Sequence, residues 1–113
     1  MIRTPIETAE AYFDCMRDGD TAVAALFHEN AQLIGLGTIV RGRAAIAEFY
    51  TQSIRNASPA PRPAAPIAVE GDRVLAEVYI DLASGVTMHV IDVFDVDDDG
   101  LIRSLTYFVS DHP

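Results

Sequence analysis

The chain changes its hydrophobic period at one place, and that change limits its fold more than any other feature. Before Asn56, apolar residues recur at helical spacing. Ile6, Ala9, Phe13 and Met16 form one series, with Tyr12 and Cys15 beside them, and Ile46, Phe49, Tyr50 and Ile54 form another. After Pro66 the segments IAVE, DRVLAEVYIDL, VTMHVIDVFDV and LIRSLTYFVS are rich in Val, Ile, Tyr and Phe and predict strands. They are separated by EGD, ASG and DDDG, which are turn compositions. Between the halves lies NASPAPRPAAP, residues 56–66, with four of the six prolines. Proline lacks a backbone donor and fixes φ, so this stretch predicts an extended loop rather than a sheet interior. Neither half would bury a core alone, so residues 1–113 read as a single α+β domain, with helices covering one face of a curved sheet.

Local signals sharpen the first half. In TPIE, Thr4 can cap a helix, Pro5 suits the first helical position, and Glu7 completes a capping box. Gly19 ends that helix, and Asp20 can cap a shorter second one through Val23, Leu26 and Phe27. AQLIGLGTIV, residues 31–40, is strand-like but broken by Gly35 and Gly37, and Gly42 precedes a third helix, RAAIAEFYTQSI.

The run DVDDDGLIRSLT, residues 95–106, imitates a calcium loop, with aspartates at places one, three and five and glycine at place six. Two requirements fail. Its neighbours read as strands rather than helices, and its twelfth place is Thr106 where a bidentate glutamate belongs. DDG therefore predicts a hairpin turn in which Gly100 takes the positive φ. The three histidines lack helical-turn spacing and Cys15 is the lone cysteine, so no metal set, disulfide or cofactor motif is expected. Cys15 is expected to act as a small apolar group.

Charge narrows the partners. The formal net charge is −9 and the eight basic residues are scattered, which disfavours nucleic acid and anionic membrane surfaces. No apolar run is long enough to span a bilayer. The opening MIRTPIETAEAYF lacks the apolar core of a signal peptide, so a cytoplasmic location is expected. A small apolar molecule, or another copy of the chain, is easier to accommodate.

Four stretches carry a family resemblance: YFDCMRDGD (12–20), ALFHENAQL (25–33), RGRAAIAEFY (41–50) and HVIDVFDVDDDGLIRSLTYF (89–108). In this order they resemble the nuclear transport factor 2-like, or cystatin-like, α+β cone, and within it the ketosteroid isomerases and SnoaL-like polyketide cyclases. The resemblance implies three N-terminal helices on a curved, mainly antiparallel sheet that forms a cone with an interior pocket. It also implies a homodimer through the outer sheet face. Ketosteroid isomerases use a carboxylate base, with an oxyanion hole made by a tyrosine and a protonated aspartic acid. Tyr12 and Asp92 stand where the resemblance places the oxyanion donors. The base belongs in a stretch matching QLIGLG, and there this chain has Gly35. The rest of the pocket would be lined by Phe13, Met16, Leu33, Phe49, Tyr50, Val90, Phe94, Leu105 and Tyr107. Limonene-epoxide hydrolases place an arginine two residues before the strand aspartate, and Val90 stands there instead.

Strand parity supports Asp92 independently. In VIDVF it shares a face with Val90 and Phe94, and a carboxyl packed against helices is costly to ionise. Parity also offers Tyr107 as a face-mate of Leu105 and Val109, and puts Glu77 and Tyr79 on one face of their strand. His89 should point away from Asp92, and His28 should close the second helix, where its charge suits the dipole. Solvated or interface roles are expected for the histidines. Three readings follow: an isomerase- or cyclase-type enzyme, a binding protein without chemistry, and an interaction module whose pocket is filled by Phe13, Phe49, Tyr50, Tyr107 and Phe108.

Overall fold

The computed structural model describes residues 2–110. Helix α1 (Pro5–Asp18) begins with the expected capping box: the Thr4 hydroxyl accepts from the Glu7 N–H at 3.3 Å, and Glu7 accepts from the Thr4 N–H at 2.8 Å. It ends at Gly19, whose φ of 65° is left-handed, and the Gly19 and Asp20 N–H groups close the last turn onto the Met16 and Cys15 carbonyls. Asp20 caps the next element through the Ala22 N–H, but that element is a single 3₁₀ stretch, Thr21–Leu26. The six residues TAVAAL are too few to sustain a packed α-helix, and Phe27 already belongs to the following strand. Helix α2 (Arg43–Ala57) is the third helical element expected, so the helical part is two α-helices joined by a 3₁₀ turn and a hairpin.

That hairpin is β1 (Phe27–Gly35) and β2 (Thr38–Arg41). His28 therefore lies on a strand, where its Nδ1 accepts from the Asn30 N–H, and the helix-dipole expectation for it does not hold. The turn residues Leu36 and Gly37 both have positive φ, 51° and 75°, which gives the turn the twist that a two-residue hairpin requires. Part of the proline-rich stretch also pairs. Strand β3 (Ala60–Pro63) forms an outer strand of the sheet, where the missing proline donors matter least. Strands β4 (Ala68–Glu70), β5 (Arg73–Asp81), β6 (Thr87–Val96) and β7 (Ile102–Val109) follow as the period predicts.

Among the described residues the strands form one seven-stranded sheet in the order β2-β1-β7-β6-β5-β3, with β4 also on β5. Every pairing is antiparallel except β1 with β7. The helices cover its inner face, where Ala9, Phe13, Val23, Phe27, Leu33, Ile46, Val78, Phe94 and Leu105 form the core. The β6–β7 connection is the expected turn: Gly100 has φ 76°, and the Asp97 carboxylate accepts from the Asp99 and Leu101 N–H groups. Thr8 fastens α1 to this turn by donating to the Gly100 carbonyl at 2.7 Å. The N-terminal part of α1 is thus fastened to the β6–β7 turn.

Candidate functional site

Alternation along β6 directs Met88, Val90, Asp92 and Phe94 inward, while His89 and Ile91 face out. Phe94 lies deep, with its ring edge-on to Tyr12 and Phe13 at 5.3 and 5.7 Å. Beside it the helices and the sheet do not meet completely. They leave a cavity of about 200 Å³ lined by Tyr12, Met16, Leu36, Phe49, Tyr50, Ser53, Pro59, Ile80, Leu82, Met88, Val90, Asp92 and Tyr107. The lining is mostly hydrocarbon and aromatic. Among the described residues that line it, Asp92 is the one carboxylate and none is a histidine.

Asp92 is 5 % exposed, and its carboxyl takes no hydrogen bond from any described residue. Burial alone pushes its pKa up to about 7, because the charged form loses hydration and gains no cation in return. Near neutrality a large share of the molecules therefore hold a carboxylic acid, a group able to donate one hydrogen bond into the cavity. Tyr12 does not pair with Asp92. The Tyr12 hydroxyl bonds instead to the Tyr50 hydroxyl at 2.8 Å, and the two rings meet edge to face at 5.9 Å. Burial raises the pKa of both phenols, and the nearby Asp92 charge adds to it, so both remain protonated. In such a pair one hydroxyl donates to the other, which leaves the acceptor's own proton free for a third group.

Tyr107 lies opposite Asp92 in the β6–β7 register, and its pKa is raised by burial and by the Asp92 charge. Its ring rests on Gly35. A Cβ placed at position 35 would lie 2.3 Å from the Tyr107 Cζ and 2.4–2.5 Å from the two Cε atoms. Gly35 itself offers no side chain to the cavity.

Of the residues anticipated for the pocket, Tyr12, Met16, Phe49, Tyr50, Val90, Asp92 and Tyr107 line the cavity together. Phe13, Leu33, Phe94 and Leu105 do not. They face the same way but lie in the close-packed core beneath it, each 2 % exposed or less. Sequence reasoning missed Leu36, Ser53, Pro59, Ile80, Leu82 and Met88. Stepping back by two from Asp92 gives Val90 and Met88, and Met88 is paired with Ile80, so the alternation held a signal for those two. Leu36, Pro59 and Leu82 come from turns, where no period applies.

The titratable residues that strand parity placed on the opposite face lie outside the cavity. Glu77, Tyr79 and His89 share the outer face, where His89 stacks on Tyr79 at 4.5 Å and meets the Glu77 carboxylate at 2.7 Å. Phe108 is 59 % exposed on the same face, so it fills no pocket. His112 lies outside the described residues. Among the described residues no group of three or more His, Cys, Asp and Glu side chains is placed to hold a metal ion, and no helix is long and apolar enough to cross a membrane.

A curved sheet folded round helices, with an apolar cavity between them, defines the nuclear transport factor 2-like cone. The structure superposes on an NTF2-like protein of unknown function from Cytophaga hutchinsonii with a TM-score of 0.82 at 15% identity, over 97% of this chain and 92% of that one. It is similar to SalBIII, an epoxide hydrolase/cyclase-like enzyme with a role in pyran ring formation in the polyether salinomycin. There the TM-score is 0.85 at 23% identity, over 95% and 91% of the two chains. It is also similar to a putative polyketide cyclase from Sinorhizobium meliloti, with TM-score 0.77 at 26% identity over 89% and 93%. Within this class the chain belongs to the SnoaL-like domain family, whose pattern it matches over residues 9–105. No curated protein matches the sequence.

Proposed function

We propose that the protein binds a small apolar molecule bearing a carbonyl or phenol oxygen, and that Asp92, as a neutral carboxylic acid, donates a hydrogen bond to that oxygen. The observation that carries this reading is a carboxyl buried at the cavity wall that takes no hydrogen bond from any described residue. A group left this way is costly to keep dry, and a ligand acceptor removes the cost. The free proton of the Tyr12–Tyr50 pair offers a second donor to the same pocket.

The chemistry that fits is of the isomerase or cyclase type. Two donors polarise a carbonyl, and removal of a proton from the neighbouring carbon then falls to a water, because Gly35 supplies no base and Asp92 in its neutral form is a donor. The similar structures named for cyclase chemistry agree with this class of reaction. Steroid isomerisation does not fit, since about 200 Å³ is below the ~300 Å³ at which pockets for drug-sized ligands begin. The decisive experiment is incubation with single-ring phenols, enones and hydroxy-ketones, for the wild type and for Asp92→Ala. Saturable binding by the wild type, weakened at least ~10-fold in the variant, is expected, and removal of an oxyanion donor should slow any turnover by ~100-fold or more. Equal binding and turnover by the variant would end this reading. Binding without product leaves a carrier of the same pocket chemistry.

A second reading concerns assembly and has its own observation. On the outer sheet face Ile39, Leu75, Ile91 and Phe108 are 44, 42, 44 and 59 % exposed, a band across four strands that no helix covers. Apposition of two such faces gives the homodimer. A dimer mass in solution at micromolar concentration is expected, reduced to the monomer by Phe108→Glu. A monomeric wild type would rule it out.

A further inference from the structure

One row of the inner face crosses four strands. Ala76 on β5 pairs with Asp92 on β6, Asp92 pairs with Tyr107 on β7, and the parallel register that sets Ile34 beside Thr106 brings Gly35 on β1 next to Tyr107. Tyr107 is the large side chain of this row. A ring rising from the middle of a sheet can lean toward either neighbouring strand. Here it leans onto β1 and lies against the Gly35 backbone, at a distance from which any Cβ would expel it. The opposite lean would carry it over Asp92.

We propose that Gly35 is the seat that holds the Tyr107 ring away from Asp92, and that this pair keeps the cavity open and sets its ligand at one ring. Volume supports the size limit. An apolar cavity of ~150 Å³ holds a benzene, so about 200 Å³ holds a single ring with a small substituent. The same arithmetic shows what the seat prevents. A tyrosine ring swung over Asp92 would take up most of that space and cover the carboxyl. Gly35 is therefore a specificity-determining residue through its missing side chain, and Tyr107 is the wall it positions. The ligand half of this inference rests on the phenol-binding reading above, while the seating of the ring does not.

The test uses phenol and 2-naphthol as probes, with affinities from calorimetry or NMR titration. The wild type should bind phenol at least ~10-fold more tightly than 2-naphthol, and Tyr107→Ala should gain at least ~10-fold for 2-naphthol. Gly35→Ala should lose at least ~10-fold for phenol, and Gly35→Ala/Tyr107→Ala should recover to within ~3-fold of the wild type. Gly35→Ala with unchanged phenol affinity, or a folded double variant that fails to recover, overturns the proposal. If Gly35→Ala does not fold, the Tyr107→Ala size switch decides, and its absence is the overturning result. If the wild type binds no phenol, the binding reading fails by itself, and ring NOEs then decide the seating. Tyr107 ring protons should contact the Gly35 α-protons in the wild type and the Val90 methyls in Gly35→Ala. A ring that stays at β1 in the variant refutes it.

Discussion

Asp92→Asn isolates the cost of charging a carboxyl in this cavity. The side chain is 5 % exposed, and its pKa moves from 3.8 to about 7 because burial penalises the anion. At ~1.4 kcal/mol per pKa unit, ionised Asp92 destabilises the folded state by on the order of 4 kcal/mol once pH exceeds the folded pKa. The direction follows from proton counting. With a folded pKa above the unfolded one, the native state keeps a proton that the unfolded chain has already lost between about pH 4 and pH 7. Its contribution is therefore most favourable below about pH 4, declines as pH rises through this window, and is flat above it. Asparagine has nearly the same shape and never ionises. The stability of Asp92→Asn relative to the wild type should rise by on the order of 2–3 kcal/mol between pH 5 and pH 8, in favour of the variant at the higher pH. Other carboxylates titrate alike in both proteins, and any fixed difference between amide and acid is independent of pH, so both cancel in that change. Urea unfolding at several pH values, with m-values checked for equality, measures it directly. A difference that stays constant to within ~0.5 kcal/mol across the range would refute the claim that burial makes Asp92 costly to ionise.

Three further outcomes follow from local geometry. Tyr50→Phe leaves the buried Tyr12 hydroxyl without its 2.8 Å partner and should cost ~1–2 kcal/mol in chemical denaturation, whereas Tyr79→Phe on the outer face should cost little. Leu36 holds a left-handed φ of 51° at the cavity mouth, so Leu36→Asn should stabilise the hairpin by ~0.5–1 kcal/mol while weakening phenol binding, read by thermal unfolding and titration. The Asp97 carboxylate is already engaged by two backbone N–H groups of its turn, so millimolar calcium should raise the melting temperature no more than millimolar magnesium does.

The sequence made the fold legible wherever a period or a cap was present. The Thr4–Glu7 box, the Gly19 stop, the alternation of β5 to β7 and the DDG turn all appear where the pattern places them. Where the pattern ran short, tertiary pairing decided. TAVAAL is too brief to be an α-helix, and APRP is drawn into the sheet as an outer strand although proline argues against strands in general. The site was legible along β6, because Asp92 and Val90 share one parity. It was less so elsewhere. Helical period and strand parity state which face a side chain takes but not how deep it lies, which is why Phe13 on its helix and Leu33, Phe94 and Leu105 on their strands face inward yet lie in the core rather than at the cavity. The Tyr12–Tyr50 bond joins two helices, and the seat of Tyr107 on Gly35 joins two strands distant in sequence, so neither pattern contained them.

Asp92 is a buried carboxyl at the cavity wall that takes no hydrogen bond from any described residue, and the proposed function depends on its staying protonated there. Carboxyl-carbon NMR titration of Asp92, in the free protein and with added phenol, tests it most directly. The free-protein pKa should lie close to about 7 and change further when phenol is present, with the acid form favoured as it donates to the phenol oxygen. A pKa near the ordinary ~3.9 with no response to phenol would contradict it.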